Sequence, residues 1–230
     1  METKPLPVTS VLLIFFLIVS IWRTHVQLSQ GRLGGRNGSS ACTVIAVLLA
    51  KTFSGSSQLP MPHSKSLSRV WFHAVANAIV EGNHIYDANI SKPGVLLDVN
   101  DVANILKRNE FEDIFLPLRH WPVWVSHFTQ PLSCTLQFQL DKFSRKKGKH
   151  STVLVCSKRS RLIVSEGTGS VLLVDTHSHP EMKSGTTFVF SKECQVASYL
   201  LKTKRDAFAT LTEVKITELQ REQFQRKFSD

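Results

Sequence analysis

Apolar and polar positions change their rhythm about halfway along the chain. Residues 42–53, CTVIAVLLAKTF, are apolar almost all the way round a helix, the pattern of an element inside a core rather than on a surface. Ser39 and Ser40, just ahead, are N-cap residue types. A second helix is predicted over 66–80, where Val70, Trp71, Ala74, Val75 and Ile79 recur at helical spacing, with Gly82 and Asn83 as its stop. A third is predicted over 98–108, with Asp98 or Asn100 at its cap and Val102, Ile105 and Leu106 on one face. After Pro117 the period becomes two. Strands are predicted over 124–128, 132–140, 151–157, 161–165, 170–175, 186–190 and 210–217, divided by turns such as Glu166-Gly167-Thr168-Gly169, with a short helix over 192–201. Helices first and an antiparallel sheet afterwards define the α+β class.

The N-terminal stretch 5–22 carries no charge and contains the unbroken apolar run 11–19. Its length nearly suffices to span a bilayer core of roughly 30 Å as a helix. Two readings follow: a short membrane anchor, or a secretory signal peptide that would make the protein secreted. Arg23, Arg32 and Arg36 follow the segment while Lys4 precedes it, so an anchor would be single-pass with the domain on the cytosolic side. The predicted organisation is a hydrophobic segment over 1–23, a Gly/Ser-rich linker and loop over 24–40, an α+β domain over 41–220 and a charged tail over 221–230.

Composition narrows the picture. With 230 residues, 42% of them hydrophobic, the chain can bury one good core. Its 28 Lys and Arg against 18 Asp and Glu give a formal net charge of +10, which suits anionic partners and keeps open a basic membrane-binding or nucleic-acid-binding module. The densest basic run, residues 145–149, reads as a solvated hairpin tip, and no interleaved aromatics favour nucleic acid. The four cysteines, Cys42, Cys134, Cys156 and Cys194, are scattered and form no C-x-x-C pair, so neither a zinc site nor a redox dithiol is indicated. No cofactor is implied.

Candidate chemistry lies at two places. Cys42 opens the apolar helix after a Gly/Ser-rich loop, where the positive end of the helix dipole and unpaired backbone N–H groups favour a thiolate. A cysteine in that place also serves as a small hydrophobe. The strand over 170–175 runs into Asp175-Thr176-His177, and side chains two apart on a strand share a face, so Asp175 can hold the His177 ring. Aspartate beside histidine also serves as a structural hydrogen bond. His179, next to Pro180, is expected exposed at the rim, and Asp175, His177 and His179 lack an identifiable fourth metal ligand.

Together these stretches resemble the papain-like cysteine peptidases, most of all the deubiquitinating domain of herpesvirus large tegument proteins. There a strand, Asp-x-His, a short loop, Gly, a strand and a short helix follow one another as do 171–174, Asp175-Thr176-His177, Gly185, 187–190 and 193–201 here. The resemblance implies a central Cys-bearing helix packed on an antiparallel sheet, with Cys42 as nucleophile, His177 as general base and then acid, and Asp175 orienting the imidazole. It implies hydrolysis after a C-terminal glycine of ubiquitin or a ubiquitin-like protein. Family members place a glutamine a few residues before the cysteine for the oxyanion hole. Here Asn37 is the nearest upstream amide and takes that expected role. A catalytically inactive binding domain of the same fold is the alternative.

Overall fold

The computed structural model describes residues 19–56, 59–62, 66–108, 116–125, 138–192 and 207–215. Among these, strands β1 (Val19–His25), β2 (Leu116–Val125), β3 (His150–Cys156), β4 (Arg159–Ser165), β5 (Ser170–Asp175), β6 (Ser184–Lys192) and β7 (Ala207–Lys215) form one antiparallel sheet. Its order is β1-β6-β5-β4-β3-β7-β2. Helices α1 (Cys42–Gly55), α2 (Arg69–Asn89) and α3 (Val99–Arg108) precede all strands but β1. The class is α+β.

Helix α1 is the centre of the core, as its all-round apolarity requires: ten of its residues are buried, from Cys42 to Phe53. One face of the sheet supplies Leu162 and Val164 of β4, Leu172 and Val174 of β5, and Phe188 and Phe190 of β6 to the same cluster. Trp71 of α2 stacks on Phe53 at 5.9 Å and meets Phe188 edge-on at 6.3 Å, while its indole N–H donates to the Pro60 carbonyl at 2.8 Å. The buried ring is thus both packed and satisfied. In α3, Val102, Ile105 and Leu106 are buried as their spacing predicts. Asp98 and Asp101 cap its start reciprocally, each backbone N–H reaching the other's carboxylate at 2.9 and 2.8 Å.

Several expectations are corrected. Gly82 does not stop α2, which continues to Asn89. A Cβ at Gly82 would lie 2.6 Å from Ile45 Cγ1, so the glycine marks the point where α2 crosses α1. The strand predicted over 124–128 overlaps only the end of β2, which begins at Leu116 and contains Pro117 and Pro122, prolines tolerated because β2 is an edge strand among the described residues. Residues 138–144 are helical rather than the end of a strand. The predicted helix over 192–201 lies mostly outside the described residues, as do 126–128 and 132–137.

The membrane reading is overturned. No helix among the described residues is long and apolar enough to cross a membrane, and residues 19–22, the end of the supposed anchor, lie in β1. Ile21 and Trp22 are apolar because they are buried against the protein's own core, with Trp22 opposite Phe188 of β6. A boundary at residue 23 would cut through this strand, and an α+β unit beginning at 41 would leave it out. Residues 24–40 are no linker either. Leu28 O accepts the Thr186 backbone N–H at 2.8 Å and the Thr186 hydroxyl at 2.7 Å. At Gly185 a Cβ would run into the carbonyl oxygens of His25 and Leu28, so only glycine allows β6 this close.

The basic run is structural. Lys146 Nζ reaches both carboxylate oxygens of Glu213 at 2.6 Å. Lys149 Nζ donates to the Phe53, Ser56 and Leu59 carbonyls at 3.4, 2.7 and 3.1 Å, closing the C-terminal end of α1 where a cation is favoured.

Candidate active site

Cys42 is the first residue of α1, and no side chain caps that end in the usual way. Ser39 instead accepts the Ala41 backbone N–H at 3.1 Å and donates to Asn83 Oδ1, tying the loop to α2 just ahead of the helix. The Cys42 thiol is buried and faces the His177 imidazole and the backbone and hydroxyl of Ser160 on β4. Burial pushes the thiol up, but the His177 hydrogen bond and charge, helped by Ser160, outweigh it and bring it down from 9.0 to about 7. The neighbouring Thr43 hydroxyl lies 2.8 Å from Ser160 Oγ and donates to Leu97 O at 2.7 Å, holding the first turn against β4 and the loop before α3.

Asp175 is the last residue of β5, and the strand stops there. The Asp–His relation therefore rests on a turn, not on two residues sharing a strand face. Asp175 Oδ1 accepts the His177 backbone N–H at 3.1 Å and lies 2.6 Å from His177 Nδ1. A proton on Nδ1 leaves Nε2 for the thiol. Burial alone would lower the His177 value, but the bonds to Asp175 and Cys42 raise it above the ordinary imidazole range. Burial would likewise raise Asp175; His177, His179 and Arg161 instead hold it well below the usual carboxylate range.

Sequence reasoning missed three residues. Ser160 is one. Arg161, the next on β4, is only 4% exposed and donates from Nε to Asp175 Oδ2 at 2.6 Å. Its signal was a charge within the otherwise buried run 160–165. Gln30 is the third: its backbone N–H donates to Thr176 O at 2.9 Å, and its side chain accepts the Thr176 hydroxyl at 3.0 Å and donates to Ser39 O at 3.3 Å. It thus joins the loop before Cys42 to the residue between Asp175 and His177.

Asn37, by contrast, is exposed, and its carbonyl oxygen accepts from Arg32 at 3.5 Å. His179 is buried rather than at a rim, 3.6 Å from Asp175 Oδ2 through Nε2, with its backbone paired to Ser184. Among the described residues no three His, Cys, Asp or Glu side chains are grouped to hold a metal ion. Cys156 is a buried free thiol of β3, while Cys134 and Cys194 lie outside the described residues.

A helix that opens with a buried cysteine is laid on an antiparallel sheet, and Thr176 and His177 follow the end of its strand β5. The structure is similar to the crystal structure of the ubiquitin-specific protease encoded by murine cytomegalovirus tegument protein M48, determined with a ubiquitin-based suicide substrate. The TM-score is 0.50 at 13% identity, over 86% of this chain and 87% of that chain, a likeness of fold. By sequence, the chain matches no family model and none of the curated proteins.

Proposed function

We propose that the protein is a cysteine-type hydrolase that cleaves after the C-terminal glycine of ubiquitin or a ubiquitin-like protein. One observation carries the reading: thiol, imidazole and carboxylate meet in that order where the N-terminus of α1 faces the end of β5. The Cys42 thiolate attacks the carbonyl carbon of the terminal glycine, and the His177 imidazolium gives its proton to the departing amine, leaving a thioester. His177, now neutral, takes a proton from water as that water attacks the thioester, and collapse releases the carboxylic acid, which ionises in solution, and restores the thiolate–imidazolium pair. Asp175 keeps the ring oriented through both steps.

Two further features support a slender acyl donor. Cys42 is 4% exposed, so a tail without side chains suits the approach better than an ordinary peptide. The M48 protease of the same fold was captured with a ubiquitin-based substrate. For the oxyanion, the role first assigned to Asn37 falls to the buried Gln30 amide, whose nitrogen donates to the carbonyl of Ser39, three residues before Cys42, with the Cys42 backbone N–H at the helix start as second donor. The full chain, incubated with ubiquitin carrying a C-terminal propargyl group, should form a covalent adduct at Cys42 and should hydrolyse a ubiquitin C-terminal amide reporter. Cys42→Ser should abolish both. A folded protein that binds ubiquitin without forming the adduct would instead be an inactive binding domain, and one that does neither would end the ubiquitin reading.

A further inference from the structure

Strand β4 touches the proposed site twice. Ser160 lies against Cys42 on the face that carries α1, and Arg161, one residue on, points to the opposite face, as strand alternation requires. The last registered pair of β4 and β5 is Leu162↔Val174, which makes Arg161 and Asp175 the next cross-strand neighbours. The two carboxylate oxygens of Asp175 are divided between partners: Oδ1 faces His177 Nδ1 and its backbone N–H, and Oδ2 faces Arg161 Nε. Arg161 Nη1 is buried without a hydrogen-bond partner, so the guanidinium is not seated for its own best solvation. A buried ion pair of this kind is often no more stabilising than apolar residues of similar volume, and Ile163, Leu173 and Val189 around it are wholly buried. Its position therefore calls for a reason other than stability.

We infer that Arg161 is a positioning residue that holds Asp175 and balances its charge, so that His177 can pass between imidazolium and neutral imidazole during turnover. The inference rests on the hydrolase reading above. When His177 has given its proton to the leaving group, Asp175 would otherwise be a buried carboxylate without a full counter-charge. The ring would then retake a proton, and a protonated ring cannot draw one from water. The other groups facing Asp175 are His177 and His179 from the segment after β5; across β6 its neighbour is the neutral Thr187, with Arg23 of β1 one strand further.

The test follows the His177 ring by NMR in the full-length protein and, separately, turnover of the ubiquitin reporter. Arg161→Met should move the His177 titration to higher pH, move the acid limb of kcat in the same direction, and lower kcat about tenfold near neutral pH while KM stays within about twofold. Arg161→Lys should restore the titration without full kcat, since it returns the charge but not the directed Nε donor. In an Asp175→Asn background, adding Arg161→Met should leave His177 where Asp175→Asn alone puts it. If Arg161→Met does not fold, Arg161→Gln removes the charge with less loss of polarity, and the same shift is expected. An unmoved His177 titration, or a shift that is the same with and without the Asp175 carboxylate, would overturn the assignment. If the unaltered protein cleaves no reporter, the hydrolase reading fails, while the His177 titration still decides the role of Arg161.

Discussion

His177 is held to Asp175 twice, by its ring at 2.6 Å and by its own backbone N–H at 3.1 Å, so the turn that places the imidazole also fixes its rotation. Because the Cys42 thiol sits near 7, its alkylation by iodoacetamide should rise with pH through about 7 and level off above. His177→Ala removes the larger part of what opposes burial and leaves only Ser160, so the midpoint should move upward. Measuring the second-order rate at Cys42 between pH 5 and 10 decides this; an unchanged midpoint in His177→Ala would break the thiol–imidazole link.

Asp175 sets the response to acid. Its value is depressed on folding, so the stability it contributes is fully present above the ordinary carboxylate value of about 3.9 and is lost progressively as pH falls from there through the lower folded value. Asp175→Asn leaves Arg161 buried without its partner and should destabilise the fold by about 3 to 5 kcal/mol at neutral pH. Urea melts at pH 7 and pH 3 should show the deficit shrinking at the lower pH. A constant deficit would mean that packing, not charge, is lost.

Gln30→Ala should lower kcat on the ubiquitin reporter by about a hundredfold while iodoacetamide still labels Cys42, as expected when an oxyanion donor is removed. Asn37→Ala, on an exposed turn, should leave both measurements near those of the unaltered protein. The reverse pattern would return the role to Asn37.

Gly82→Ala trades a better helix former for a clash with Ile45, and the clash should win. Alanine gains up to about 1 kcal/mol in helix propensity, whereas an inserted methyl in a packed core costs about 1 to 3 kcal/mol. The Cβ would lie 2.6 Å from Ile45 Cγ1 and 3.2 Å from the Ile45 backbone nitrogen. Ile45→Ala in the same chain should recover only part of the loss measured in urea, because the backbone contact remains.

Lys149→Met should destabilise by about 1 to 3 kcal/mol, since three carbonyls at the end of α1 lose a charged donor. Lys147→Met, two residues earlier and exposed, should change stability by less than about 0.5 kcal/mol. Equal effects would mean that only the net charge of the loop matters.

The sequence made the class and the two halves of the proposed site readable because both are local patterns. Helix α1 announces itself by apolar residues on every side, and Asp175-Thr176-His177 needs only a strand and its end. What stayed hidden depends on partners distant in sequence. Residues 19–22 look like the end of a membrane segment until β6 supplies their other side. Gly82 looks like a helix stop unless Ile45 is known to lie against it. Gln30 stood in a stretch read as linker, and Arg161 was one basic residue among many until β5 placed Asp175 beside it.

The pairing of β1 with β6 joins Val19 to Ser191, and nearly the whole described chain separates them. A nascent chain leaving the ribosome would therefore present the Cys42 helix long before His177 and β6 exist. The outer edge of the sheet cannot zip until residue 191 is free, and loop closures of this span are slow because their entropy must be met before the contacts form. The thiol would thus spend its early life without the imidazole that ionises it, an inert side chain on an unfinished protein. Whatever reactivity Cys42 gains from His177 would arrive only with the later strands, so that an ionised thiol would itself report that this part of the sheet has closed.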